Sequence, residues 1–109
     1  MIFTCREDFL EKAGACERLS RESEKAYAIA AKEGSAEARR KLAASYLPVV
    51  AAFFKRQSPE MQTLELAYRL CVALEKNVSG FDFLQESETF LHRLSLAMRR
   101  ELVRYIAEK

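Results

Sequence analysis

Tryptophan is absent from this chain of 109 residues, histidine occurs once, and there are only three cysteines, three glycines and two prolines. Each scarcity excludes something. His92 has no second histidine and no neighbouring cysteine, so neither a zinc cluster nor a Cys/His dyad can be assembled around it. Cys5, Cys16 and Cys71 are odd in number and far apart, unlike a disulfide framework, so reduced, structural thiols are expected. The glycines are isolated and offer no phosphate-cradling loop. Glu86 and Glu88 lie where a helix is expected to start, and there carboxylates favour the positive end of the helix dipole without any acid–base role. The longest weakly charged run, 42–54, is shorter than the roughly 20 residues of a membrane span and contains Ser45 and Pro48. No charged region followed by an apolar stretch opens the chain, so neither a signal peptide nor a membrane partner is expected, and the expected location is the cytoplasm. An enzyme is not expected, and neither is a metal or a cofactor.

Against these absences stand 50% hydrophobic and 31% charged residues, enough for a single domain with one modest core. Few glycines and prolines favour long helices over a many-turned sheet. In 6–33 the apolar positions Phe9, Leu10, Ala13, Cys16, Leu19, Ala26, Ile29 and Ala30 recur at helical spacing, with a break expected near Ser20 to Ser23. Gly34 then Ser35 reads as a helix stop followed by an N-cap. A second helix is predicted over 36–57, continuing through Pro48 with a kink. An interior proline costs roughly 3 kcal/mol or more, which burial of the apolar face from Leu47 to Phe54 would offset. Ser58 and Pro59 suggest the start of a third helix over 60–77, with Met61, Leu64, Tyr68, Cys71 and Leu74 inward. A loop over 78–86 is expected to tuck Phe81 and Phe83 onto the core. A last helix over 87–108 is expected to turn Phe90, Leu91, Leu94, Met98, Leu102, Tyr105 and Ile106 inward. The fold class is therefore all-α, a small bundle of four to five helices, with an N-terminal helical segment at 1–34 and the remainder at 35–109.

Net charge is only +2, but its distribution is uneven: 36–56 carries +4, 57–92 carries −4 and 93–109 carries +3. On the last helix Arg93, Arg100 and Arg104 project within about 40° of one another at 100° per residue. Such a stripe is either a solvated charged face or a set of phosphate contacts.

The string Ala38-x-x-x-Leu42-x-x-x-Tyr46-x-Pro48-x-Val50-x-x-Phe53-x-Lys55-Arg56 resembles the opening of region 2 in bacterial RNA polymerase sigma factors, above all the small extracytoplasmic-function group. The segment from Ser58 to Glu65 stands where that family has an acidic stretch ending in Gln-Glu. Thr89-Phe90-x-x-x-Leu94-x-x-x-Met98-Arg99-Arg100 is similar to its arginine-bearing promoter helix. The similarity covers 33–105. It implies an all-helical domain that binds the clamp helices of the largest polymerase subunit through Glu65. It also implies contact with −10 promoter DNA near Arg99; Arg93, Arg100 and Arg104 extend that surface on the strength of the stripe alone. Met61 and Leu64 replace the family's aspartate and glutamine, and the base-capturing tryptophan is missing, so DNA binding is expected to be weak and mostly sequence-independent. Two alternatives stay open: a sigma-like interaction or regulatory module that does not read DNA, with an anti-sigma or other regulatory protein as its partner, and a Sel1-type repeat scaffold suggested by AIAAKEGSAEARRKLAASYL, of which no second copy is present.

Overall fold

Most helix starts in the chain coincide with a side chain that can satisfy a bare helix end. The computed structural model describes residues 3–84 and 89–108, and these form six helices: α1 (Arg6–Ala15), α2 (Arg21–Lys32), α3 (Ala36–Ser45), α4 (Leu47–Lys55), α5 (Leu64–Gly80) and α6 (Phe90–Ala107). The expected class, a small all-helical bundle, is what folds, with one or two helices more than the sequence suggested. The expected start of the last helix at Ser87, together with Glu86 and Glu88, lies outside the described residues.

Ser20, Ser35, Thr63 and Thr89 each accept a hydrogen bond from the backbone N–H three residues on, and so cap α2, α3, α5 and α6. Cys5 does the same for α1 through its sulfur, 3.4 Å from the Asp8 nitrogen. Between α2 and α3 the N–H of Gly34 donates to Ala31 and that of Ser35 to Ala30, both at 3.0 Å. This pairing closes the helix in the manner that needs a left-handed residue, and Gly34 supplies it with φ of 103°.

Pro48 does not lie inside a continuous helix. Helix is present on both sides of it, but α3 ends at Ser45 and α4 begins at Leu47, so the proline falls in a first turn, where its missing N–H has no intrahelical partner to lose. Tyr46 is the junction; its own N–H donates to Ala43, and its carbonyl accepts from Val49 and Val50. The cost expected of an interior proline is therefore avoided, not offset.

The third predicted helix starts late. Ser58 to Gln62 form a turn, with Met61 donating to Ser58 and Gln62 to Pro59. The Gln62 amide then donates to the carbonyls of Lys55 and Gln57 at the end of α4, an arrangement that a helix starting at Glu60 would forbid. Its end is late too, since Val78 to Gly80 are helical where a loop was expected.

The core is one apolar cluster around α5, which packs against α1, α3, α4 and α6. Phe9, Phe54, Leu42, Leu70, Leu94, Met98 and Tyr105 are fully buried. Phe3 stacks edge-on to Phe9 at 5.0 Å, and Phe9 to Phe54 at 5.1 Å. The Tyr68 hydroxyl accepts from the Phe3 N–H at 2.7 Å and donates to the Phe3 carbonyl at 3.1 Å. Phe81 and Phe83 do fold back, with ring centroids 5.3 and 5.1 Å from Phe90. Leu91 and Ile106, expected inward, are exposed. Among the described residues no helix is long and apolar enough to cross a membrane.

Candidate nucleic-acid interface

Helices α5 and α6 run antiparallel, and the contacts between them set the positions of the residues singled out in the sequence. At one end Thr63 and Tyr105 share a hydrogen bond of 2.6 Å between their hydroxyls. One turn further, Arg69 donates to Glu101 at 2.7 Å and also pairs with Glu108. Glu101 and Glu108 both hold the Arg69 guanidinium more firmly protonated than usual, Glu101 contributing most. Glu101 also meets Arg104 at 3.5 Å.

Glu65 is exposed in the first turn of α5. It lies near the end where α6 finishes, so it is separated from Arg93 by most of the length of the helix pair. The arginines of α6 do not act as one set. Arg93 is half-buried at the start of the helix, its guanidinium carbon 5.3 Å from the centroid of the Phe81 ring. Arg99 and Arg100 are exposed and make no ion pair among the described residues. Arg104 is exposed and shares Glu101 with Arg69.

Arg100 and Arg104 border a groove of about 430 Å³ between α5 and α6, whose opposite wall carries Arg69 and Lys76. Lys76 was not foreseen as a site residue. The available signal was its spacing: Arg69 and Lys76 are seven apart on α5, as Arg93 and Arg100 are on α6, and a separation of seven returns nearly to the same helix face. The outer face of α6, away from the groove, presents Leu96, Val103 and Ile106 beside Arg99, with Val103 66% exposed.

No family model, no curated protein and no solved structure matches this chain. The site therefore rests on its own geometry and on the resemblance of the sequence.

A second, larger concavity of about 500 Å³ lies between α3 and α5, away from the α6 arginines, and Ala43, Ala44, Leu47, Cys71 and Val72 form its apolar lining. Burial, with a smaller contribution from Glu75, pushes the Cys71 thiol from an ordinary 9.0 up to about 11. The folded state thus holds this proton more tightly than the unfolded chain. The stabilising effect is complete below about pH 9 and is lost as pH rises through about 11. In a Cys5→Ser, Cys16→Ser background, Cys71 is expected to react slowly with a thiol reagent near neutral pH and to accelerate only as pH approaches 11. Fast modification at neutral pH would contradict the burial of this group.

Proposed function

We propose that this chain acts in the cytoplasm in transcription initiation as a sigma region 2-like domain, binding polymerase core through the Glu65 end of α5 and promoter DNA, weakly, through the arginines of α6. The observation that carries this reading is the placement of the matched residues. Glu65 is exposed on the helix that the resemblance assigns to the clamp helices of the largest subunit; on the helix it assigns to DNA the matched Arg99, and Arg100, which the stripe adds, are exposed and make no ion pair among the described residues. Without tryptophan, and with the aromatics of the 81–90 region turned into the core, base capture has few faces to use, so phosphate contacts dominate.

The test is capture of polymerase core by the wild-type chain and by Glu65→Lys. Reversing an exposed charge at an interface rim is expected to weaken core binding about tenfold, equivalent to about 1.4 kcal/mol, with little change in melting temperature. Equal loss of binding and of stability would instead make Glu65 a structural residue.

The exposed Leu96, Val103 and Ile106 favour a second reading, an interaction or regulatory module that meets a protein such as an anti-sigma factor without reading DNA. That reading gains if a −10 fork and its scrambled counterpart both fail to bind at low salt.

A further inference from the structure

The groove between α5 and α6 has two cationic walls. Arg69 and Lys76 stand on one side and Arg100 and Arg104 on the other, over a floor that includes Val72, Ala73 and Ala97. The one carboxylate in the lining, Glu101, is already engaged by Arg69 and Arg104. Lys76 and Arg100 make no ion pair among the described residues, so their charge is available to a ligand, whereas Arg69 is committed to Glu101 and Glu108. Arg93 takes no part in the groove.

The dimensions restrict what can enter. From Arg69 to Lys76 the groove runs about 10 Å at 1.5 Å per residue, and packed helix axes lie about 8–10 Å apart. A duplex, whose major groove alone is about 12 Å wide, can touch the rim but cannot sit inside. A single phosphodiester chain can. Tyr68 is the aromatic residue of the lining, and its hydroxyl is tied to Phe3, so bases have little to stack on and would face outward.

We infer that the α5/α6 groove seats the sugar–phosphate backbone of a single nucleic-acid strand, with Lys76 supplying a contact from the wall opposite α6. The inference rests on the DNA-binding part of the proposed function and adds the form of nucleic acid and the second helix that holds it.

Fluorescence anisotropy with the full chain tests it, using a labelled oligothymidine and a duplex of equal length across a salt series. The single strand is expected to bind more tightly than the duplex. Lys76→Ala and Arg100→Ala are each expected to lower the slope of log affinity against log salt by about 0.7, the value for one single-strand phosphate contact. Lys76→Arg should keep the wild-type slope. Lys76 and Arg100 are exposed, so melting curves on each variant separate loss of charge from loss of fold. A wild-type slope in Lys76→Ala overturns the groove and leaves DNA binding on the α6 stripe. Preference for the duplex overturns the groove as well. Failure of both nucleic acids to bind at low salt overturns the groove and the DNA part of the proposed function together, while core capture still stands or falls on Glu65.

Discussion

Phe54→Ala is expected to lower stability by about 3–5 kcal/mol, a large share of the 5–15 kcal/mol by which domains are usually stable. Phe54 is fully buried on α4, and its ring meets Phe9 of α1 edge-on at 5.1 Å with an interplanar angle of 75°. Phe9 in turn meets Phe3, which is tied to Tyr68 of α5. Truncation therefore removes the α4 end of a row that runs through α1 and the N-terminal segment to the central helix. The cavity cannot collapse easily, because Phe9, against which the ring packs, and Val50, Leu66 and Leu70 of the same core are also fully buried. Val103→Ala serves as the control: that side chain is 66% exposed and its loss should stay within about 0.5 kcal/mol. Urea titration reads both, and a shifted midpoint at unchanged slope identifies a change in stability. A loss below about 1 kcal/mol for Phe54→Ala would mean that α1 and α4 do not share a core.

Local signals in the sequence carried the helices well where chain ends and caps are local. Gly34 and Ser35 marked the boundary between α2 and α3 because a left-handed glycine and a hydroxyl acceptor act on their immediate neighbours. Glu65, which the resemblance assigns to a partner, is exposed. What stayed hidden depends on partners distant in sequence. The Ser58-Pro59 pair has the composition of a helix start, yet it opens a turn from which the Gln62 amide reaches back to Lys55 and Gln57 at the end of α4, and the start passes to Thr63, whose hydroxyl also reaches Tyr105. Leu91 and Ile106 fit the helical period of α6 but fall on the edge that no neighbouring helix covers. The arginine stripe was correct as an angular statement about one helix. It divided once packing placed Phe81 under Arg93 and set Lys76 across from Arg100, because no property of α6 alone reports what stands opposite it.

Tyr46→Ala is expected to cost about as much as the phenylalanine truncation, roughly 3–5 kcal/mol, because this residue holds the junction at which the chain passes from α3 to α4. It is 3% exposed, and its ring lies 4.7 Å from Phe90 and 6.4 Å from Phe83, with the Arg18 guanidinium 4.3 Å above it. Three separate parts of the chain thus converge on one side chain. Its hydroxyl donates to a Glu24 carboxylate oxygen at 2.7 Å, fastening α2 to the same point. Tyr46→Phe keeps the ring and removes only that hydrogen bond. Since Glu24 is half-buried, the loss should sit near the lower end of the 1.5–3 kcal/mol range for bonds to charged groups, about 1.5 kcal/mol. Burial first, then Glu24, pushes the hydroxyl pKa well above its ordinary 10.0, so the folded state keeps this proton when the unfolded chain would release it. The difference between wild type and Tyr46→Phe is therefore expected to be constant up to about pH 10 and to shrink above it. Urea midpoints measured for the three proteins at several pH values check this, and a Tyr46→Phe variant as damaged as Tyr46→Ala would show that the hydroxyl contact, not the ring, holds the junction.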